Sequence, residues 1–363
     1  MGSMSSICII TLTGDRPLAL SLCDKWVSQQ TRKPDQRIVV DDGKIPMVPT
    51  PIIDYIRREP KPHDPAHTLN INMLEALKHV KCDNVVIFED DDYYAPTYLE
   101  EMERQLVNGD VVGIGHAKYY HLPSGGYSQQ DNMGHASLAQ TAFKASMIPF
   151  VESCAKQNDG HYLDVRLWLG SGGSITGGEI PPSGHRVGKN GWIFKDNNQY
   201  VGIKGLPGRP GIGTGHEKNT YGNKDTNHIM LKKWIPKDYQ VYLDVLKTVP
   251  AQELNHRRVE MGWYIASKRG LAGKVLVEPG EKFYWEGPKG SWMDPVDGGP
   301  VVAVAAKQPP PQTDIYAAAR ELSKKHPSVL DHKHIPQSAG AQQPTAEPIA
   351  AEPAKGKRAW GRK

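Results

Sequence analysis

The sequence has few cysteines, little net charge and no long apolar run. The 4 cysteines among its 363 residues lie far apart without a CxxC pair, which favours reduced, buried thiols in an intracellular protein. With 44 Lys and Arg against 40 Asp and Glu, the net charge of +4 is too small for the whole surface to bind a polyanion. No window is apolar enough for a membrane span, and no signal-type segment opens the chain. We therefore expect a cytoplasmic protein without membrane contact.

Strand-like and helix-like segments alternate in the first half of the chain. Apolar, β-rich runs stand at 7–10, 37–40 and 84–88, and apolar residues at helical spacing follow at 18–26 and 69–80. This alternation predicts a parallel α/β sheet, whose ligands bind at the carboxyl ends of the strands. Further along, the segments 109–122 and 135–147 are also interpreted as strands.

Four consecutive acidic residues, Glu89–Asp92, directly follow one of the apolar runs. Adjacent carboxylates repel one another, and unpaired charge at the rim of a core is costly, so we expect positive charge there. A divalent cation is the simplest candidate. The alternative is a solvated acidic turn that starts a helix, because acidic residues favour helix N-termini.

A glycine-rich loop follows the strand predicted at 200–203. Glycines at 205, 208, 211, 213 and 215 would let backbone N–H groups approach an anion. The GxxxxGK[ST] pattern of kinase-type phosphate loops is missing, which argues against a nucleotide kinase.

These segments together resemble the GT-A-fold glycosyltransferases, most nearly the family-2-like group. The resemblance runs from residue 7 to about 247 and is carried by "IITLTGDRP", "RIVVDDG", "VVIFEDDDYY" and "IKGLPGRPGIGTGH". It implies an α/β, Rossmann-like mixed sheet with helices on both faces. The residue pattern beyond the resemblance predicts a small β-rich C-terminal unit and a disordered tail. The resemblance also implies transfer of a sugar from a nucleotide-diphosphate sugar to a hydroxyl acceptor.

The composition and the resemblance divide the chain into three parts. Residues 1–247 are expected to form the glycosyltransferase domain, with a nucleotide-binding half at about 5–110 and an acceptor half at about 111–247. Residues 248–298 are expected to form a small helix and a β-rich unit. Residues 299–363 are interpreted as a Pro/Ala-rich linker, one short helix with an apolar stripe that includes Leu322, and a basic tail.

The resemblance assigns a metal site to the acidic stretch. Asp92 would bind Mn²⁺ or Mg²⁺ directly, and Asp90 would contact the ribose or a metal-bound water. His216, at the end of the glycine-rich loop, would complete the metal shell, although a single histidine in a polar loop can also be simply exposed.

The nucleotide sugar is expected to bind along the same edge of the sheet. A UDP-sugar is the donor we expect, although no residue selects uridine over guanosine. Asp41 and Asp42 would contact base and ribose, unless "DDG" is a plain turn after a strand. The other residues expected to line this site are Thr11, Thr13, Arg16, Asp91, Lys204 and Arg209, the last two through phosphate oxygens.

On the acceptor side, the segment "NDGHYLDVRLW" offers a general base. In inverting members of the family an Asp deprotonates the attacking hydroxyl, and Asp164 or Asp159 would take that role here. The alternative for Asp164 is a structural ion pair with Arg166, and retaining members lack such a base. The stereochemical outcome therefore stays open.

The acceptor itself is not fixed by these motifs. The ending "KGKRAWGRK" is a basic arm able to touch phosphates, which fits a hydroxymethylated base in DNA and a phage-type modifying enzyme of the host cytoplasm. Two other functions remain open: a non-catalytic nucleotide or glycan-binding module, and a sugar nucleotidyltransferase, which would release pyrophosphate.

Overall fold

The computed structural model describes most of the first 248 residues and parts of the remainder. The described residues are 5–47, 53–61, 64–65, 67–157, 162–174, 179–196, 198–209, 221–248, 260–266, 270–272, 275–287, 293–295, 321–322 and 325.

The described strands fall into two large sheets and two small ones. In chain order they are β1 (Ile7–Thr13), β2 (Gln36–Asp41), β3 (Asp54–Arg57), β4 (Asn84–Ile87), β5 (Tyr93–Tyr94), β6 (Val111–Ile114), β7 (His116–His121), β8 (Gly126–Asp131), β9 (Thr141–Lys144), β10 (His185–Val187), β11 (Gly191–Phe194), β12 (Tyr200–Lys204), β13 (Asn223–Lys224), β14 (Glu260–Ala266), β15 (Gly270–Ala272), β16 (Val275–Val277), β17 (Lys282–Gly287) and β18 (Met293–Pro295).

The described helices are mostly short and lie between these strands. They are α1 (Pro17–Gln29), α2 (Leu69–Leu77), α3 (Tyr98–Gln105), α4 (Ile148–Lys156), α5 (Leu163–Gly170), α6 (Ile229–Trp234) and α7 (Tyr239–Thr248), with 3₁₀ turns at Leu138–Gln140 and Ala145–Met147. Within the described residues, no helix is long and apolar enough to cross a membrane.

The main sheet has the strand order β10-β11-β6-β9-β4-β1-β2-β3. Strands β3, β2, β1 and β4 are parallel, as the alternating pattern predicted, whereas β9 runs antiparallel between β4 and β6. The segment 135–147, interpreted as strand from its sequence, keeps strand structure only at β9, between the two 3₁₀ turns. The predicted mixed α/β sheet is confirmed.

Helices cover both faces of the main sheet because its central strands are apolar on both sides. On β1, Ile7 and Ile9 belong to a buried cluster that includes side chains of α1, α3 and α7. Cys8 and Ile10 point the other way, into a cluster with side chains of α2, α4 and α5. The period of two along the strand therefore sends alternate side chains to the two cores. All four cysteines are buried and free, as their surroundings predicted.

A second sheet, β13-β8-β7-β12-β5, stands beside the carboxyl ends of the parallel strands. Within it β12 pairs parallel with β7 and antiparallel with β5, in the register Tyr200 opposite Tyr94 and Val201 opposite Tyr93. This register brings the end of β12 next to Asp92, and it positions the candidate site.

The C-terminal strands form small antiparallel sheets. β14 pairs with both β17 and β18, and β15 and β16 form a hairpin. Strand structure here agrees with the β-rich pattern of the sequence, while the predicted domain boundaries at 247 and 298 stay a prediction.

Candidate active site at the carboxyl ends of the parallel strands

Loops that follow β1, β2 and β4 meet at one edge of the main sheet. Thr13 at the end of β1 pairs with Asp41 at the end of β2, and its carbonyl accepts a hydrogen bond from the backbone N–H of Asp42 (3.2 Å). The loop after β4 carries the residues Glu89–Asp92. Both acidic clusters therefore lie at the same edge, as the sequence pattern predicted.

Three residues of the acidic cluster Glu89–Asp92 are buried, and Glu89 is half-buried. Asp90, Asp91 and Asp92 expose 1%, 3% and 0% of their surface, and the short strand β5 follows them directly. Helix α3 begins only at Tyr98. The alternative of a solvated acidic turn at a helix start is therefore wrong.

Two of these carboxylates pair with side chains that follow β1. Asp90 accepts a hydrogen bond from the hydroxyl of Thr13 (2.7 Å) and an ion pair from Arg16 (2.8 Å). The other terminal nitrogen of Arg16 lies 2.7 Å from Asp91. The Nε atom of Arg16 is buried and has no hydrogen-bond partner among the described residues. Arg16, predicted to line the nucleotide pocket, thus supplies part of the expected positive charge.

The third carboxylate, Asp92, is held by β12. Its Oδ1 accepts hydrogen bonds from the backbone N–H of Ile203 and from Nζ of Lys204, each at 3.0 Å. Its Oδ2 accepts a hydrogen bond from the hydroxyl of Tyr200 at 2.5 Å. Tyr200 and Lys204 stand on the same face of β12, because side chains two and four positions apart in a strand point the same way. Lys204 also lies 3.8 Å from Asp91.

The charges of the cluster are incompletely balanced, and the pKa values of Glu89, Asp90 and Asp92 rise. Burial, followed by the charge of Asp92, raises the pKa of Glu89 to about 8. Burial also raises the pKa of Asp90 and of Asp92 to about 6, although Arg16 opposes the first shift and Lys204 the second. Each shift means that the surrounding protein disfavours the ionised form, so added positive charge would stabilise the cluster.

The donor set fits a hard divalent cation. Carboxylate oxygens of Glu89, Asp91 and Asp92 lie within 4.8 Å of one another, and Mg²⁺ and Mn²⁺ prefer oxygen ligands of this kind. Glu89 was not among the sequence-predicted ligands, whereas Asp90 was. The hydrogen bond from Thr13 and the ion pair with Arg16 instead engage both oxygens of Asp90.

The second acidic pair has a different environment. Asp42 forms ion pairs with Arg209 and, at 2.6 Å, with Arg58, which the sequence reasoning missed. Burial alone would raise the pKa of Asp42, but hydrogen bonds, first among them that of Arg209, lower it to about 2. A Cβ atom at Gly14 would collide with both Asp42 and Arg209, so glycine lets these side chains meet there. Arg209 thereby joins the glycine-rich loop to the loop after β2.

Asp41 and Thr11 make contacts inside the protein. The carboxylate of Asp41 accepts hydrogen bonds from the backbone N–H groups of Gly43 and Met47 and from the hydroxyl of Tyr55. This pattern is that of a turn stabilised by its own aspartate. The hydroxyl of Thr11 lies 3.8 Å from Sγ of Cys23 on α1.

On the acceptor side, Asp164 stands in the first turn of α5 and is half-buried. Burial raises the pKa of Asp164, and the charge of Asp164 contributes to the raised pKa of Glu89. Arg166 donates to the carbonyl of Cys154 at 3.0 Å, and within the described residues it forms no ion pair with Asp164. The structural ion pair considered from the sequence is therefore not formed.

Two aromatic rings flank this region, of which the sequence had offered Tyr119 as a stacking residue for a sugar or a base and not Tyr221. Tyr119 on β7 and Tyr221 lie nearly parallel, with ring centroids 6.2 Å apart. The pKa of Tyr119 rises to about 12, mainly through burial, and the charges of Lys204, Asp92 and Asp164 also act on it. The sequence does carry a signal for the ring of Tyr119. In the strand pattern Tyr200, Gly202, Lys204 the central residue is glycine, and this glycine leaves the space that the ring occupies.

Asp159 and His216 lie outside the described residues. Their expected roles as general base and metal ligand stay predictions.

Comparison with known proteins agrees with the resemblance. Residues 6–172 match the model of the family described as glycosyl transferase family 2. No curated protein matches the sequence. Similar solved structures include TarS from S. aureus, at 11% identity and a TM-score of 0.37 over 55% of this chain and 36% of that one. TarS 1–349 in complex with UDP-GlcNAc gives 12% identity and a TM-score of 0.37, over 66% and 65% of the two chains. The complex of TarS 1–349 with UDP also gives 12% and 0.37, over 55% and 60%. The chain thus spans about a third to two thirds of the length of these proteins, and TM-scores this low add nothing to the assignment.

Proposed function

We propose that this chain is a metal-dependent enzyme acting on a nucleotide-diphosphate sugar. The premise is that residues 6–172 belong to glycosyl transferase family 2. The donor would be a UDP-sugar, and the acceptor a hydroxyl group on a hydroxymethylated base in DNA. The observation that supports this proposal most is the meeting of Glu89–Asp92 with Arg16 and Lys204 at the carboxyl edge of the parallel strands.

The arrangement suits a leaving group with two phosphates. Arg16 has a buried, unpartnered Nε among the described residues, and Arg209 reaches over the same edge to Asp42. Guanidinium groups bind phosphate oxygens through paired hydrogen bonds. A divalent cation held by Glu89, Asp91 and Asp92 would supply further stabilisation for the charge that develops on the diphosphate.

Asp164 is the residue we propose as general base. Its carboxylate would accept the proton of the acceptor hydroxyl while the oxygen bonds to the anomeric carbon and the nucleoside diphosphate leaves. Because burial raises the pKa of Asp164, its carboxylate is a stronger base than that of an exposed Asp. Within the described residues, Asp164 forms no ion pair. These properties favour an inverting reaction.

The DNA acceptor is supported by less. The chain ends in "KGKRAWGRK", which could neutralise phosphates, and the half-buried rings of Tyr119 and Tyr221 offer faces for a planar base next to the acidic cluster. A base must leave the helical stack to reach a buried site, and aromatic rings stabilise bases in that state.

A thermal-shift panel tests the donor part of the proposal. Wild type, Asp92→Asn and the matched surface variant Asp110→Asn are each mixed with UDP-, GDP- and ADP-sugars in Mn²⁺, Mg²⁺ or EDTA. A ligand that binds only the folded state raises the midpoint by mass action. We expect one nucleotide sugar to raise the midpoint with metal in wild type and Asp110→Asn, and not in Asp92→Asn. No shift with any donor would contradict the proposal.

Transfer assays then test the acceptor. We expect labelled sugar to appear on an oligonucleotide that carries hydroxymethylated bases and not on its unmodified twin, with a rate that falls as salt rises. Equal labelling of a free hydroxymethyl nucleoside at every salt concentration would argue against DNA as the acceptor. Release of pyrophosphate instead of nucleoside diphosphate would identify a nucleotidyltransferase.

A further inference from the structure

The ammonium group of Lys204 lies among the carboxylates that fit a metal ion. It stands 3.0 Å from Asp92 and 3.8 Å from Asp91, two of the three candidate ligands, and the side chain is only 8% exposed. Lys204, Tyr200 and Ile203 together donate hydrogen bonds to both carboxylate oxygens of Asp92. The side chain of Asp92 is 0% exposed. In this arrangement Lys204 is the cation of the site.

A divalent cation and Lys204 cannot both be stable at these distances. Like charges a few ångströms apart in a buried site repel strongly, because little water screens them. An ion bound by Glu89, Asp91 and Asp92 would therefore require the ammonium group to leave Asp92. It would also require a new anionic partner for Lys204, because a buried ammonium without one is costly.

Lys204 can move, whereas Arg16 is fixed. Lysine carries its charge on a flexible four-carbon stem, and Lys204 is the last residue of β12, followed by Gly205 at φ +82°. Arg16 binds Asp90 and Asp91 through both terminal nitrogens. The chain after Lys204 leads to Arg209, which already reaches the opposite edge of the pocket at Asp42. A diphosphate bound between the loop after β12 and the loop after β2 would offer Lys204 a new anionic partner.

We infer that Lys204 is an exchangeable counter-ion, which blocks the metal site until a nucleotide diphosphate offers its ammonium group another anion. This inference rests on the proposed function, since it assumes the same donor site. Its consequence is that metal and nucleotide bind as a coupled pair: each raises the affinity for the other by the same factor. Metal alone binds weakly to the wild-type protein.

The test measures Mn²⁺ binding to the full chain by calorimetry and by the electron paramagnetic resonance of free Mn²⁺, with and without UDP. Lys204→Met removes the charge and keeps the length of the stem, and Lys204→Arg keeps the charge. Lys156→Met, which removes an exposed lysine paired with Glu152 on α4, is the control. We expect Lys204→Met to bind Mn²⁺ alone at least about tenfold more tightly than wild type, because the competing charge is gone. Lys204→Arg and Lys156→Met should bind it as weakly as wild type.

The same titrations separate this inference from the donor proposal. Equal or weaker Mn²⁺ binding by Lys204→Met, measured without nucleotide, would overturn the exchange, as would a wild-type protein that binds UDP without any gain in Mn²⁺ affinity. Tighter Mn²⁺ binding by Lys204→Met with no response to any nucleotide would uphold the exchange and remove the donor proposal. If Lys204→Met fails to fold, Lys204→Gln carries the comparison, since its amide can still donate to Asp92.

Discussion

Two acidic groups stand at the same edge of the sheet and differ in how their charge is balanced. Asp42, after β2, has two arginine partners, and its pKa falls to about 2. The cluster Glu89–Asp92, after β4, has four carboxyls against Arg16 and Lys204, and the pKa of Glu89 rises to about 8. The charge of Asp42 is therefore balanced without a ligand. The second group would gain from another cation, which makes it the better candidate for chemistry.

The largest expected effect comes from removing one charge of the incomplete cluster. Asp92→Asn keeps an oxygen for the N–H of Ile203 but takes a carboxylate from the proposed metal ligands. We expect kcat/KM for sugar transfer to fall about 10³-fold, the order seen when a group that stabilises developing charge is lost. Steady-state kinetics checks this, with Asp110→Asn as control; a loss below tenfold would mean that the two acidic groups do not differ in the way described.

A smaller effect is expected from Asp164→Asn, which asks whether the incomplete cluster extends to the acceptor side. Loss of a general base should lower kcat about 10²-fold while leaving the nucleotide-sugar thermal shift unchanged. Because burial raises the pKa of Asp164, wild-type activity should rise with pH above the ordinary range of an Asp, and that limb should vanish in the variant. Glu152→Gln on α4 is the control. An unchanged pH profile would count against Asp164 as the base.

Next in size is the effect of pH on the balanced charge of Asp42. The folded pKa of Asp42, about 2, is below its ordinary value of 3.8, so its ionisation stabilises the fold at all pH values above 3.8. That contribution is lost as the pH falls through about 2. Asp42→Asn should therefore lower the free energy of unfolding by about 2 kcal/mol at pH 7, and the difference from wild type should shrink between pH 4 and pH 2.

Urea denaturation in EDTA measures this difference. A second variant, Glu89→Gln, should show the opposite dependence of stability on pH. The folded pKa of Glu89 lies above its ordinary value of 4.5, so its ionisation destabilises the fold increasingly as the pH rises from 4.5 through about 8. The Gln variant should gain stability over wild type in that window. Parallel pH slopes for the two variants would show that the two acidic groups are alike.

The smallest effect concerns the hydrogen bond that joins the end of β1 to the loop after β4. Thr13→Val removes the hydroxyl that Asp90 accepts at 2.7 Å and should cost about 1 kcal/mol of stability. Thr31→Val, at an exposed threonine bonded to Glu100, should cost less. Equal losses in the two variants, measured by denaturation at pH 7, would show that the buried bond has no special weight.

The sequence predicted the edge of the sheet where the site forms, because strand and helix patterns place the ends of β1, β2 and β4 together. It also predicted positive charge against Glu89–Asp92, which Arg16 and Lys204 provide. Alternation along β1 could have shown that Thr11 shares the face of Ile7 and Ile9 and therefore packs on α1.

Other contacts could not be predicted from local patterns. The bond from Tyr200 to Asp92 joins residues 108 positions apart, and it depends on the antiparallel register of β5 with β12. Asp41 and Asp42 are neighbours with the same side chain, and only the tertiary positions of Tyr55, Arg58 and Arg209 give them different partners. The insertion of β9 between β4 and β6 likewise has no signal in its own residues.

Leu322 bears on where the chain can be cut. This residue, predicted to lie in an apolar stripe, is 1% exposed and belongs to the same buried cluster as Trp26 and Tyr242. A truncation after residue 299 would therefore take a side chain out of the main core along with the basic ending, and a leucine-sized void costs roughly 2–5 kcal/mol. A truncated variant that tests the contribution of the basic arm should therefore keep all residues up to Lys325.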